Sequence, residues 1–164
     1  MLANYDRYQF PRGFDCGVDA INSYFRNGLK RSLRSENVSG MAAVSASSEV
    51  IGFCTLTLCS LDRQRVAEVI AQANLLPQVA VIRLVMLGVD KAYQGRGVGR
   101  QLLRKLFLQA IRVHSEIPIK GIYLDAAPDA VKFYQLLGFS LIDVPDDRGS
   151  TPMFLPIRAL LRAM

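Results

Sequence analysis

The sequence has 164 residues, 51% hydrophobic and 21% charged, which is typical of one folded globular domain over residues 1–164. No apolar run approaches the roughly 20 residues that span a bilayer, and residues 1–9 lack the apolar core of a signal peptide, so we expect a cytoplasmic protein without a membrane anchor. The formal net charge of +6 favours anionic partners such as a nucleotide, a nucleic acid or an acidic protein.

The predicted elements begin with a helix, because apolar residues recur at helical spacing over residues 19–30. Two strands, 41–46 and 50–58, follow and are joined by a Ser-Ser-Glu turn. The composition of residues 62–73 predicts a helix that ends before Pro77. The apolar run 79–89, interrupted only by Arg83, is typical of a central strand buried on both faces.

The second half continues the alternation of helices and strands. A helical period predicts a helix over residues 99–114. The remaining predicted elements are a strand over 119–126, a helix over 129–137 closed by Gly138, strands over 139–144 and 152–156, and a helix over 157–164. This order predicts an α/β (α+β) fold with a mixed, mostly antiparallel central sheet flanked by helices.

The cysteine and histidine content argues against a metal site. Cys16, Cys54 and Cys59 lack metal-ligand spacing, and His114 is the only histidine, so neither a zinc site nor a Cys-His hydrolase is expected. Cys54 and Cys59 lie in an apolar strand and are expected to be buried. Cys16 is the only thiol with polar neighbours in the sequence.

A glycine-rich loop lies between the buried strand and the helix that begins near residue 99. Gly95, Gly97 and Gly99 allow the backbone to turn its amides inward, and the helix that follows adds unpaired N–H groups and the positive end of its dipole. Arg96 and Arg100 add positive charge at the rim, so the loop predicts an anion site. It lacks the Gly-Lys-Ser/Thr of a P-loop, and its spacing and position differ from a Rossmann fingerprint.

Two motifs resemble those of the GCN5-related N-acetyltransferase (GNAT) superfamily. Gln94, Gly97 and Gly99 match the Gln/Arg-x-x-Gly-x-Gly/Ala pattern, and residues 130–139, Ala-Val-Lys-Phe-Tyr-Gln-Leu-Leu-Gly-Phe, resemble the second signature. The resemblance implies a GNAT fold, no metal, and acetyl-CoA as co-substrate. It implies that the acetyl-CoA pyrophosphate is bound by Gln94, Gly95, Arg96, Gly97, Val98, Gly99 and Arg100.

The same resemblance implies how acetyl transfer is catalysed. Backbone amides of the strand before the loop, at Leu87, Gly88 and Val89, correspond to the oxyanion donor, and Tyr134 corresponds to the acid that protonates the departing thiolate. A phenol with a pKa near 10 suits a thiol with a reference pKa near 8.5. No general base is evident, which favours an α-amine acceptor, since its pKa of about 8 leaves a substantial neutral fraction.

The N-terminal region is similar to one group within this superfamily. Residues 14–25, Phe-Asp-Cys-Gly-Val-Asp-Ala-Ile-Asn-Ser-Tyr-Phe, and the last strand, Pro152-Met-Phe-Leu-Pro-Ile, resemble the GNAT toxins of type II toxin–antitoxin systems. That resemblance implies acetylation of the α-amine of aminoacyl-tRNA, a ribbon-helix-helix antitoxin and a homodimer. The candidates for tRNA phosphate contacts are Lys30, Arg31, Arg34 and Arg96.

One position departs from the toxin pattern. Met86 stands where these toxins usually carry an arginine, and Arg83, three residues earlier, is on the opposite face of an extended strand. Two alternatives therefore remain: an acetyltransferase for a small amine, an antibiotic or a protein N-terminus, and an acetyl-CoA-binding protein without turnover that acts through partner contacts.

Overall fold

The computed structural model describes residues 2–164. Met1 lies outside the described residues; it is the first residue of the segment 1–9, for which no signal peptide is predicted. The helices are α1 (Asp19–Asn27), α2 (Leu29–Arg34), α3 (Arg63–Ile70), α4 (Val98–Glu116), α5 (Val131–Leu136) and α6 (Ile157–Ala163). The strands are β1 (Ser39–Val44), β2 (Val50–Asp62), β3 (Gln78–Val89), β4 (Gly121–Ala126), β5 (Ser140–Leu141) and β6 (Thr151–Pro156). Short 3₁₀ segments cover Leu2–Arg7, Lys91–Tyr93 and Pro128–Ala130.

Over the described residues, six strands form one sheet in the order β1-β2-β3-β4-β6-β5. The β1–β2, β4–β6 and β5–β6 pairs are antiparallel, whereas β3 and β4 are parallel, with Ile82 opposite Ile122 and Arg83 opposite Tyr123. The expectation of a mixed, mostly antiparallel sheet flanked by helices is therefore confirmed. In the part of the chain described, no helix is both long and apolar enough to cross a membrane.

The described chain divides into two compact units, so the single-domain organisation stays a prediction. The first unit comprises the chain up to Thr57 together with Leu84–Leu106, and the second comprises Leu58–Arg83 and Phe107–Met164. The first unit thus holds β1, α1, α2 and the whole glycine-rich loop. The second holds α3, β4, α5, β5, β6 and α6.

An aromatic cluster forms the core of the first unit. Phe14, Phe25 and Phe53 are each at most 3% exposed, and their rings lie within contact distance of one another. Burial of three such side chains contributes on the order of several kcal/mol to folding. The cluster therefore holds helix α1 and the segment before it against strand β2.

The helix predicted over residues 19–30 is two helices. Gly28 separates α1 from α2; its N–H bonds to the carbonyl oxygen of Tyr24 at 2.8 Å, and a Cβ at this position would lie 2.9 Å from Cδ2 of Tyr24. Helical periodicity does not report this break, because the apolar stripe continues into Leu29.

A second core lies under α3 in the second unit. It is built from buried side chains of β2, α3, β3, β4 and β6, including Leu61, Val66, Val81, Tyr123 and Phe154. Helix α3 begins at Arg63 because the carboxylate of Asp62 accepts a hydrogen bond from Gln64 N–H at 2.9 Å.

Two sequence predictions about strands are wrong. Strand β3 is central, but it is not buried on both faces, because Ala80 and Arg83 are exposed. The charged guanidinium of Arg83 reaches solvent and a carboxylate partner. The strand predicted over residues 139–144 is only Ser140–Leu141. Its ladder stops where the Asp143 carboxylate accepts from Val144 N–H, ahead of Pro145.

Candidate functional site

The glycine-rich loop leaves strand β3 through a short 3₁₀ turn. Asp90 N–H bonds to Ile51 O at 2.9 Å, and the Asp90 carboxylate accepts from Ala92 N–H at 2.9 Å, which caps the turn Lys91–Tyr93. The Asp90 side chain was not among the residues expected at the site. An aspartate directly before a turn, whose carboxylate can accept from the N–H two residues on, is the sequence signal for this role.

Two of the three glycines have backbone conformations that favour glycine. Gly95 and Gly97 have φ of +75° and +80°, whereas Gly99 lies in the first turn of α4 without a positive φ. A Cβ at Gly95 or Gly97 would meet nothing within 4 Å. The requirement for glycine is therefore conformational at these two positions, and the space beside them is open.

A run of backbone amides faces no acceptor at this point. Within residues 2–164, none of the N–H groups of residues 95–100 has a hydrogen-bond acceptor, and the first helical bond runs from Gln101 N to Gly97 O at 3.0 Å. Consecutive unpaired amides at a helix N-terminus form an anion-binding concavity. This run is the feature that the sequence predicted from the glycine spacing.

The charged side chains of the loop lie at its edge. Arg96 and Arg100 are exposed, and the guanidinium of Arg96 lies 5.5 Å from the centroid of the Tyr93 ring. Val98 is half-buried, and its Cγ1 would lie 3.1 Å from a Cβ at Gly52 of β2. Gly52 thus allows the first turn of α4 to approach β2 closely.

Gln94, a fixed position of the GNAT motif, has its side chain engaged by the backbone. Its Nε2 donates to Val89 O at 2.8 Å and to Cys16 O at 2.9 Å. Both amide hydrogens are used by these carbonyls. Gln94 therefore ties the loop to β3 and to the N-terminal segment, and its amide nitrogen has no hydrogen left to donate to an anion.

The three residues predicted to supply oxyanion donors lie at the end of β3. Gly88 is buried, and a Cβ there would lie 2.8 Å from Cγ2 of Ile21, so a larger residue would require Ile21 to move; Leu87 and Val89 are half-buried. Met86 packs against the aromatic cluster of the first unit. The position at which related toxins usually carry an arginine is thus part of an apolar contact in this chain.

Tyr134 lies on α5 in the second unit and is 7% exposed. Its ring makes edge contacts with Phe133 and Phe139, at centroid distances of 5.2 and 5.6 Å. Both neighbours belong to the segment that resembles the second GNAT signature, so residues of that segment pack against the tyrosine ring.

A polar cluster in the second unit was not predicted. Tyr123 O–H donates to Asp125 Oδ1 at 2.7 Å, Arg83 pairs with Asp125 Oδ2 at 3.2 Å, and Arg65 Nη2 donates to the Tyr123 oxygen at 3.3 Å. The guanidinium groups of Arg65 and Arg83 lie 5.2 and 5.8 Å from the centroid of the Tyr123 ring. The available sequence signal was the Tyr123-Leu124-Asp125 alternation, which places Tyr123 and Asp125 on the same face of the strand.

Three of the basic residues expected to contact tRNA are exposed on α2. Lys30 Nζ lies 4.7 Å from the centroid of the Phe10 ring, and Arg31 Nη2 donates to Asn27 O at 3.0 Å. A hydrogen bond to Tyr5 raises the pKa of Arg34. These three cations share one short helix of the first unit.

The cysteines are free thiols. Cys54 is fully buried as expected, and burial raises its pKa to about 12. Cys59 is only half-buried, which corrects the expectation of burial; desolvation also raises the pKa of Cys59 and of Cys16. Among the described residues, no group of three or more His, Cys, Asp or Glu side chains is arranged to hold a metal ion.

Comparison with known proteins gives a consistent family relationship. The family model "Acetyltransferase (GNAT) domain" matches residues 39–141. A crystal structure described as a bacterial toxin is 42% identical, covers 95% of this chain and 88% of its own, and superposes with a TM-score of 0.91.

Two further solved structures share the fold at lower identity. A tyrosine-to-phenylalanine mutant of KacT is 24% identical over 100% of this chain and 96% of its own, with a TM-score of 0.87. AtaT complexed with acetyl-methionyl-tRNAfMet is 21% identical over 96% and 92%, with a TM-score of 0.81.

Proposed function

The chain belongs to the acetyltransferase (GNAT) family, and from that premise we propose that it is a toxin that transfers an acetyl group from acetyl-CoA to the α-amine of aminoacyl-tRNA and so blocks translation. The observation that carries the proposal is the run of unpaired amides over residues 95–100 at the start of α4, within the matched region. In this proposal these amides bind the pyrophosphate of acetyl-CoA, with Arg96 and Arg100 adding charge at the rim.

The proposed chemistry needs one oxyanion donor and one acid. The acceptor amine attacks the thioester carbonyl carbon, a C–N bond forms, and negative charge develops on the carbonyl oxygen, where backbone N–H groups of Leu87, Gly88 and Val89 are the proposed donors. The C–S bond then breaks and the thiolate takes a proton, which we assign to the hydroxyl of Tyr134. The amine proton leaves to solvent, since no base is assigned, and the Tyr134 phenolate takes a proton back from solvent.

The proposed acceptor rests on charge, amine chemistry and relatives. The basic helix with Lys30, Arg31 and Arg34 suits a phosphate backbone, and an α-amine needs no protein base near neutral pH. The 42%-identical structure is described as a bacterial toxin, and AtaT has been solved with acetyl-methionyl-tRNA. These relatives support aminoacyl-tRNA as the substrate class.

Partners follow from the same relatives. AtaT has been solved with the C-terminus of its antitoxin AtaR, and KacTA has been solved with DNA. We propose that this chain is likewise restrained by a cognate antitoxin of the ribbon-helix-helix class and that it acts as a homodimer in the cytoplasm.

Met86 favours a second candidate function. Met86 stands where the toxin pattern has an arginine and packs against apolar side chains, so the strand before the loop lacks that cation. The two functions share the donor site and differ only in the acceptor.

Transfer of labelled acetyl from acetyl-CoA tests the acceptor directly. The panel consists of charged tRNA, the same tRNA deacylated, a peptide N-terminus and small amines. We expect label on charged tRNA alone, sensitive to hydrolysis of the aminoacyl ester. Label on small amines or peptide without label on charged tRNA would replace the toxin proposal by the second candidate, and no label on any acceptor would favour a binding protein without turnover.

A further inference from the structure

The segment that carries the toxin resemblance, residues 14–25, is hydrogen-bonded to the loop proposed to bind the cofactor. Asp15 N–H donates to Asp90 Oδ2 at 3.1 Å, and Lys91 N–H donates to Asp15 O at 2.8 Å. The Asp15 carboxylate also pairs with Lys91 Nζ at 3.4 Å. Both main-chain groups of Asp15 therefore hold the turn from which the glycine-rich loop begins.

Asn22 on helix α1 is hydrogen-bonded to this segment at Asp15 and Cys16. It is 6% exposed; its Oδ1 accepts from Cys16 N–H at 2.8 Å and its Nδ2 donates to Asp15 Oδ1 at 2.9 Å. The same Asp15 oxygen accepts from Gly17 N–H at 2.8 Å. The hydrogen bonds from Asn22 and Gly17 lower the pKa of Asp15, so its carboxylate is ionised near neutral pH.

Gln94 completes the connection on the other side of the loop. Its Nε2 donates to the carbonyl oxygen of Cys16, and the N–H of the same Cys16 donates to Asn22. Cys16 is therefore bonded both to the loop and to α1. Asp90 and Gln94 thus tie the loop to Asp15 and Cys16, and Asn22 connects these two residues to α1. An unpaired buried amide such as that of Asn22 would cost free energy, so the arrangement is favoured only when all of these bonds form together.

We propose that Asp15 and Asn22 are positioning residues for the donor substrate: the pair holds the backbone of residues 90–94 so that the amides of residues 95–100 are arranged for a diphosphate before it binds. This inference rests on the proposed function, because the diphosphate is that of acetyl-CoA. It gives the N-terminal segment a role in cofactor binding, in addition to the acceptor class that the toxin resemblance implies. Preorganised amides bind an anion more tightly than mobile ones, because less ordering entropy is lost.

The test compares two thioester donors that differ in the diphosphate. Acetyl-CoA carries it, and acetyl-pantetheine does not. In N22A and D15N we expect the KM for acetyl-CoA and the calorimetric Kd for CoA to rise about tenfold with kcat little changed. Turnover of saturated charged tRNA with acetyl-pantetheine is expected to stay within about twofold of the wild type. A purely structural role would lower turnover with both donors.

Matched controls separate charge and helix effects from positioning. D19N removes a carboxylate from the exposed first turn of α1, and N27A removes an amide from its exposed end. Both are expected to bind CoA as the wild type does. The reciprocal variant D15N/N22D keeps one amide and one carboxylate in the pair and is expected to recover most of the affinity.

The outcomes separate this inference from the proposed function. Unchanged CoA affinity in N22A and D15N, with the wild type binding CoA, overturns the positioning role and leaves the proposed function intact. Equal losses of turnover with acetyl-CoA and acetyl-pantetheine also overturn the positioning role. The same holds if the single variants unfold and D15N/N22D does not recover CoA affinity. Tight CoA binding that depends on the pair, without transfer to any acceptor, supports the positioning role and removes the proposed function.

Discussion

The hydroxyl of Tyr123 donates a hydrogen bond of 2.7 Å to the carboxylate of Asp125, two residues along the same strand. Burial raises the pKa of Tyr123, so the hydroxyl stays protonated and remains a donor across the physiological range. Asp125 also pairs with Arg83, so Tyr123 and Asp125 belong to one polar network. We therefore expect Tyr123 and Asp125 to be energetically coupled. We expect Y123F to lower the free energy of unfolding by roughly 1 kcal/mol.

A double-mutant cycle with Y123F and D125N measures that coupling by urea denaturation. The coupling free energy should be about 0.5–1.5 kcal/mol. The contribution of the hydrogen bond should persist in about 0.5 M salt, which screens the ion pair. Additive effects of the two substitutions would show that the hydrogen bond contributes nothing to stability. Both substituted residues lie in the second unit, and the measurement does not depend on the proposed function.

Gly97 and Gly149 form a matched pair of left-handed glycines. Their φ values are +80° and +81°, but only Gly97 lies in the loop proposed to bind the diphosphate. G97A and G149A should each lower the free energy of unfolding by about 1–2 kcal/mol, since a Cβ strains this conformation. Only G97A should weaken CoA binding, and calorimetry of both variants checks this. Equal CoA affinities in the two variants would remove Gly97 from the binding loop.

Sequence patterns predicted most of the fold because it depends on local signals. The apolar period of α4, the glycine spacing of the loop and the turn between β1 and β2 are each visible within a few residues. The exposed side of β3 at Arg83 was missed, because its cause is Asp125, which is distant in sequence. The charge of Arg83 within the apolar run 79–89 was the only local signal that this side of β3 is exposed.

The site was predicted less completely than the fold. The glycine-rich loop follows from motif residues, but the bonds that the Gln94 side chain donates to Cys16 O and Val89 O do not. The bonds of Asp15 and Asn22 to their neighbours were not predicted either. The bond between Asp15 and Asp90 joins residues that are 75 positions apart in sequence, and no periodicity encodes it.

The basic face of α2 should contribute to tRNA affinity by neutralising phosphates. In the triple variant K30A/R31A/R34A we expect weaker tRNA binding and a salt dependence of log K that is shallower by about one unit for each phosphate that is no longer neutralised. The control R112A/R158A/R162A removes the same charge from the second unit. Identical salt slopes in the two triple variants would mean that net charge alone, and no local surface, binds the tRNA.

Cys54 should make stability depend on pH in the alkaline range. Burial raises its folded-state pKa from 9.0 to about 12, so the folded protein holds the thiol proton more tightly than the unfolded chain does. This contribution is complete below pH 9 and disappears as the pH rises towards 12. The difference in unfolding free energy between the wild type and C54A, measured by urea denaturation from pH 8 to about pH 10.5, should therefore shrink as the pH rises. A pH-independent difference would show that the thiol is not buried in the folded state.

Tyr134 is the residue whose proposed role is most directly chemical. Y134F keeps the ring and its contacts with Phe133 and Phe139 but removes the proton that the departing thiolate needs. We expect kcat to fall by about 10²–10⁴-fold with the Kd for acetyl-CoA unchanged. The control Y8F removes a hydroxyl from the half-buried Tyr8 of the first unit and should leave both quantities unchanged. In cells, induced expression of the wild type should arrest translation and Y134F should not; full turnover by Y134F would assign the proton transfer to another group.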